Sequence, residues 1–360
     1  MRAILVGFSL AKSANSRIPA VPQDRGGRRV RHPAAGGGKM VLFTGAGSVQ
    51  APGMRARILL VGTLAAALLG GGAWWWWWQA RRTPRLGLAA YEQTRAILAL
   101  GPRPPGSEGL QAVRGRVRTQ LAAAGWETRT QAFERSTAMG MVKFENVRAR
   151  FPATGGAPWQ GPVTGLLCAH LDSKWFKHEK FLGADDAASA CGAILEIARV
   201  LAAERPGQAR QLELVLFDGE EAFGQNITPF DGLFGSRHYA TEWPPEAPKP
   251  RFGVLLDMVG HRNLSIRLPS DTPEHLREAV LAAAHKEGAG KIFGMAAGAI
   301  TDDHMPLNRV GIPTVDIIGD FSNRSWWHTS ADGLNNVSPG SLDISIRVTL
   351  RLLDGLLQEK

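Results

Sequence analysis

Cysteine is nearly missing from this chain, with two residues, Cys168 and Cys191, among 360. That excludes a multi-disulfide scaffold and a cysteine-only zinc site, and leaves room for one bridge at most. A phosphate-binding loop and a dinucleotide fingerprint are also absent. Neither GAGSVQ nor the Gly-rich stretch before it lies between a strand and a helix at the required spacing. A broad basic surface is missing too, despite a net charge of +10. Residues 1–57 hold ten Lys/Arg against the single acid Asp24, so the remainder is only +1. There, Arg148, Arg150, Arg199, Arg205 and Arg210 are scattered and balanced by acids, which argues against a nucleic-acid partner. Apolar residues at 44% and charged ones at 21% exclude disorder throughout, collagen and coiled coil.

What is present falls into three pieces. Residues 1–53 mix Gly, Pro, Ala and Arg without an apolar period, so they form a basic extension expected to be disordered. Residues 54–82 read as a signal anchor. An uncharged run over 58–78 is long enough to span a bilayer, its five consecutive tryptophans suit the membrane interface, and arginines flank it. Small residues at Gly71 and Ala73 also suit a signal-peptidase cut, and an uncleaved anchor is the favoured reading. A basic start at Met54 followed by an apolar run is how an export signal begins, so translation is expected to start there, with 1–53 a start-site artefact. The part after the span is then expected outside the cytoplasm, membrane-anchored or secreted.

Residues 83–360 have the texture of one α/β domain. Apolar runs predict strands over 163–170, 212–217, 252–258 and 313–318, and helical periods cover 88–100, 109–124, 187–203, 273–286 and 341–357. Such alternation predicts a mixed, mostly parallel sheet flanked by helices, here preceded by a membrane-spanning helix, with ligands beyond the carboxyl ends of the strands.

Acids and imidazoles cluster where those runs stop: His170 and Asp172 in CAHLDSK, Asp185 and Asp186 in GADD, Glu220 and Glu221 in FDGEE, Asp257 in LLDMVG, Asp302, Asp303 and His304 in TDDH, and His328 in WWHTSAD. Singly, each has a plain structural reading as a helix cap, a solvated turn or a hydrogen-bonded histidine. Together, carboxylates converging on one sheet edge are costly unless a cation neutralises them. Imidazole and carboxylate without thiolate suit a catalytic zinc. Adjacent Glu220 and Glu221 face opposite sides of an extended chain, so one can bind metal while the other moves protons. Asp172, two residues beyond His170, is placed to orient its ring.

The motifs GPRPPGS, CAHLDSK, GADDAASAC, LFDGEEAF, DGLFGSRHYA, LLDMVG, DDHMPLNRVGIPTVDII and WWHTSAD follow one another in an order and spacing that resembles the zinc-dependent glutaminyl-peptide cyclotransferases. Those enzymes share a fold with two-zinc aminopeptidases, and the resemblance spans about residues 88–357. It implies conversion of N-terminal Gln, or more slowly Glu, of peptides or proteins to pyroglutamate with release of ammonia. It further implies one zinc on Asp186, Glu221 and His328, general acid/base work by Glu220 beside Asp257 and Asp302, and a substrate wall at Trp327. His170 and Asp172 stand in the surrounding shell, or at a second metal. Asn226 and Asp316 are assigned to substrate binding beside Trp327, and at both the sequence departs from the pattern: Asn226 is near where an indole is expected on the pocket, and at Asp316 animal enzymes have histidine and bacterial members an acid. Cys191 matches a disulfide position whose partner would directly precede His170. Cys168 stands one residue further back, so a bridge and two reduced core thiols are both open.

Two other readings compete. His170, Asp186, Glu221, Asp257 and His328 can furnish two zinc sites bridged by Asp186, as in an aminopeptidase that activates water. A membrane-tethered binding module that has lost activity would lack one or more ligand candidates, and none is missing. The catalytic part is expected to be monomeric. Intact mass of the expressed protein is expected to show a chain beginning at Met54; a mature chain retaining Met1 would overturn that start.

Overall fold

The computed structural model describes residues 85–152, 158–322 and 324–358. The chain divides into two compact units, Met1–Leu68 and Leu69–Lys360, and every described residue belongs to the second. The expected anchor over 58–78 lies outside the described residues, among which no helix is long and apolar enough to cross a membrane.

In chain order the second unit contains helices α1 (Arg85–Leu98) and α2 (Glu108–Ala123), strands β1 (Glu127–Thr137), β2 (Gly140–Arg150) and β3 (Gly165–His170), and a π-turn over Ala184–Ser189 that runs into α3 (Ala190–Glu204). Next come α4 (Pro206–Ala209), β4 (Leu212–Phe217), α5 (Phe234–Thr241), β5 (Phe252–Asp257), β6 (Ile266–Leu268), α6 (Glu274–Lys286) and β7 (Phe293–Met295). The unit closes with α7 (His304–Arg309), β8 (Thr314–Ile318), a 3₁₀ turn over Leu334–Asn336, and α8 (Pro339–Leu356). The main sheet has the order β1-β2-β4-β3-β5-β8. Strands β4, β3, β5 and β8 are mutually parallel, and β1 and β2 join antiparallel at one edge.

The parallel strands are buried along their whole length, which explains their continuous apolar sequences. Their alternate residues serve two cores. Leu167 and Ala169 of β3 and Leu214 and Leu216 of β4 pack with α1, α3 and α8, whereas Leu166, Cys168, Val215 and Phe217 face Tyr239 of α5 and Leu307 of α7. The same alternation settles the cysteines. Cys168 belongs to one core and Cys191 to the other, so both thiols are free, and the Cys191 thiol donates to the His170 carbonyl at 3.0 Å.

The β1–β2 hairpin escapes the apolar-run criterion because ETRTQAFERST and GMVKFENVRAR are mostly polar and exposed on one face. Stacked Phe133 and Phe144 hold it to Phe234 of α5. At the junction with β4, Glu213 has no exposed surface and pairs with Arg148 and Arg150, the latter its register partner. Removing the carboxylate would strand two partly buried cations. Glu213→Ala is therefore expected to lower the unfolding free energy by about 3–5 kcal/mol in urea titration; a loss under about 1 kcal/mol would show that the pair does not hold the edge.

Candidate active site

Four sheet strands end abreast. His170 is the last residue of β3 and pairs in register with Phe217, the last of β4, while Asp257 closes β5 opposite Ile318 of β8. Beyond Phe217 the chain turns at Gly219, whose φ of +74° and 2.5 Å clearance to Phe144 exclude a side chain, and this turn delivers Glu220 and Glu221. The expectation that every site residue closes a strand is corrected at the other motifs. Asp186 lies in the π-turn before α3, Asp302 and Asp303 immediately precede α7, and His328 lies on the loop after β8. Polar residues that must leave the apolar sheet reach the same edge from loops and helix starts as well as from strands.

Asp186 is the hub. Its Oδ1 lies 3.2 Å from His170 Nε2 and its Oδ2 lies 3.4 Å from His328 Nε2. His170 Nε2 is also 3.4 Å from Asp257, and His328 Nε2 is 3.4 Å from Glu221. Two groups able to hold a metal ion therefore share Asp186: one with His170 and Asp257, the other with Glu221 and His328. Both ring nitrogens of His170, Glu221 Oε1 and Asp257 Oδ1 are buried without a hydrogen-bond partner. Orphaned imidazole nitrogen and carboxylate oxygen in one place form a donor set that fits a divalent cation.

The supports are buried as well. Asp172 has its Oδ1 3.4 Å from His170 Nδ1 and accepts the backbone N–H groups of Glu220 and Glu221 at 3.1 and 3.2 Å, so it ties β3 to the Glu pair. Asp332 accepts from the N–H groups of Asp185 and Asp186 at 2.9 and 3.2 Å, fixing the π-turn to the chain beyond His328. Lys174, 5% exposed, donates to Glu221 Oε2 at 3.3 Å and to the Ala222 carbonyl at 3.0 Å. Lys174 and Asp332 stand in the CAHLDSK and WWHTSAD motifs, but sequence offers no means of seeing which distant backbone each would meet.

A cavity of about 320 Å³ opens over one of the two groups, at the small end of ligand pockets. Asp186, Glu221 and His328 line it with Glu220, Asp257 and Asp302, and its apolar wall is Ile300, Phe321 and Trp327. The Trp327 ring stacks on His328 at 3.9 Å and meets Phe321 at 4.7 Å. Asn226 is on the rim with Gln225 and Ile227. His170 and Asp172 lie beneath the floor. Asp316, expected to touch substrate, does not reach the cavity: it is fully buried in β8, with Oδ2 3.6 Å from His304 Nδ1 in a group that also contains Asp302. Both faces of β8 are covered, so the Asp316 carboxylate meets protein groups there. His328 and Met258, both at the cavity, have positive φ of 52° and 49°.

Electrostatics follow from this crowding. Burial disfavours charge on His170, but Asp172, Asp186 and Asp257 outweigh it and hold the pKa well above the ordinary imidazole value. Burial likewise opposes charge on His328, and Asp186 and Glu221 raise it to about 9. Asp186 is opposed by burial yet drawn far below the carboxylate range by the two histidines. Burial pushes Asp257 and Asp332 up to about 8 and Asp185 to about 7. It also drives Glu220 well upward, against the pull of His170 and with the help of Asp302 and Glu221.

Comparison with known proteins agrees with this architecture. The model of Peptidase family M28 matches residues 146–353, more than half of the chain. The chain belongs to that family. Glutaminyl-peptide cyclotransferase of Bos taurus is 31% identical over 282 residues, covering 67% of this chain and 74% of the bovine one. Glutaminyl cyclase of Porphyromonas gingivalis superposes with a TM-score of 0.67 at 28% identity, covering 75% of this chain and 98% of that structure. A Zn-dependent exopeptidase of Parabacteroides distasonis gives 0.66 at 28% identity, covering 76% and 98%. The structures so similar in fold thus include a glutaminyl cyclase and an exopeptidase.

The raised groups set the pH dependence of the metal-free M28 domain. Asp185, Asp257, Asp332, His170 and His328 all bind protons more tightly folded than unfolded, so the stability they contribute is lost as pH rises through their folded pKa values. Asp186 acts oppositely, but its contribution is complete above about pH 4. The melting temperature without metal is expected to fall between about pH 6 and about pH 9; a rise over that interval would contradict the arrangement.

Proposed function

We propose that the chain is a glutaminyl-peptide cyclotransferase, closing N-terminal Gln, and more slowly Glu, of peptides or proteins to pyroglutamate, with one zinc on Asp186, Glu221 and His328. One observation carries the zinc assignment. That trio opens on the cavity together with Glu220 and Trp327, whereas His170, in the other group, is 1% exposed and lies under the floor. The cyclotransferases and cyclases among the relatives support the reaction class.

The reaction needs no water. The substrate's α-amine attacks its own γ-amide carbon, so the site has to bind a bent conformer, move one proton and keep solvent out. A zinc ion held by the trio supplies Lewis-acid polarisation of the γ-carbonyl. Glu220 accepts the proton from the attacking amine and returns it to the departing ammonia, and burial, which pushes its pKa upward, favours its holding that proton in transit. Asp257 and Asp302 flank it and keep the proton on this side of the cavity. Trp327, Phe321 and Ile300 form the dry wall against which the ring closes, with Asn226 on the rim. The uncharged run over 58–78, read as a signal anchor, supports placing this chemistry outside the cytoplasm, at a membrane.

The shared Asp186 hub favours a second reading, a two-zinc aminopeptidase in which His170, Asp186 and Asp257 hold the second ion and Glu220 activates water. Mass spectrometry of a Gln-initiated and an Ala-initiated peptide incubated with the enzyme separates the two. Loss of one ammonia from the first and no change in the second is expected; removal of a whole residue would establish the peptidase. Glu220→Gln is expected to retain zinc and lose turnover by roughly 10²-fold or more, and near-normal turnover would remove Glu220 from its role.

A further inference from the structure

Arg103, from the GPRPPGS run, takes no part in the chemistry above, yet it has no exposed surface. Its Nε donates to the Leu171 carbonyl at 2.8 Å, and its Nη2 to the carbonyls of Gly183 at 2.8 Å and Asp186 at 3.4 Å. Its Nη1 donates to the Leu182 carbonyl. The backbone is locked as well: the Arg103 N–H donates to Ser173 Oγ at 3.1 Å, and its carbonyl accepts from the Ser173 N–H at 3.2 Å. A single guanidinium therefore joins the segment leaving β3, which carries His170 and Asp172, to the turn that ends at Asp186. Asp332 grips the same turn from its amide side.

Geometry excludes a substitute. Four carbonyls converging on one side chain match the planar fork of five N–H donors, whereas an ammonium offers three donors from a point. The turn itself has no slack. Gly183 has φ of +55°, and a Cβ there would lie 2.0 Å from the Asp186 carbonyl oxygen and 3.2 Å from Arg103 Nη2.

We propose that Arg103 is a positioning residue for the metal site, setting the Asp186 backbone so that its carboxylate sits between His170 and His328. This rests on the assignment of zinc to Asp186, Glu221 and His328. A merely structural arginine would cost stability while leaving the zinc affinity of the folded protein unchanged.

The test measures the zinc dissociation constant of the full chain by competition with a chromogenic chelator, alongside thermal unfolding of the metal-free protein. Arg103→Lys and Gly183→Ala are compared with Arg150→Lys, which disturbs the buried Glu213 pair instead. Arg103→Lys and Gly183→Ala are each expected to weaken zinc retention roughly tenfold or more, and Arg150→Lys to leave it within about twofold however far its melting temperature falls. Zinc held by either folded turn variant as tightly as by the parent would overturn the proposal. If Arg103→Lys does not fold, Gly183→Ala decides by the same criterion. Failure of both to fold would assign the turn to the fold itself and equally overturn it. A parent chain that binds no zinc would remove the metal assignment beneath it, an outcome distinct from a parent and variants that bind equally well.

Discussion

Asp186 turns one carboxylate oxygen to each of two imidazoles, and the rest of the site is arranged around keeping that carboxylate in place and charged. A carboxylate this deep is costly on its own. Here it is surrounded by groups that prefer it ionised, while the neighbouring acids Asp185, Asp257 and Asp332 are pushed the other way by burial. The same few ångströms hold one group that keeps its charge and several that resist theirs. That division is what a cation site needs before the cation arrives.

The sheet explains how so many polar groups converge without spoiling a core. Strands β3, β4, β5 and β8 are apolar on both faces, so acids and imidazoles can leave the interior at the strand ends or enter from the loops beyond. Asp316 and Glu213 are the exceptions, and each has a polar partner close by: His304 beside Asp316, and Arg148 and Arg150 beside Glu213. The sheet thus supplies a rigid floor for the groups that stand above it.

How much of this was legible in the sequence depended on whether a residue's role is local. The buried strands announce themselves as apolar runs, and the site residues as acids and histidines interrupting them, because burial and exclusion act on the residue itself. The β1–β2 hairpin was not legible, since ETRTQAFERST carries too little apolar alternation to separate it from a loop and owes its pairing to β4 and α5. Arg103, Lys174 and Asp332 stand inside these motifs but give no signal of their partners, which are backbone groups 146 and 147 positions away in the case of Asp332 and a carboxylate 47 away for Lys174. Asp316 differs again: it stands in a motif grouped with the pocket, but on the sheet's edge strand β8 it is buried and is not among the residues that line the cavity.

Met258 and His328 stand in the left-handed region that glycine occupies at no steric cost. Each non-glycine residue there carries a conformational penalty of about 1–2 kcal/mol, and the thioether and the imidazole both border the cavity. Exchange for glycine would relieve that torsional cost but empty part of the chamber, and at the buried Met258 it would forfeit more packing than it recovers, so these torsions persist because the side chains are needed there.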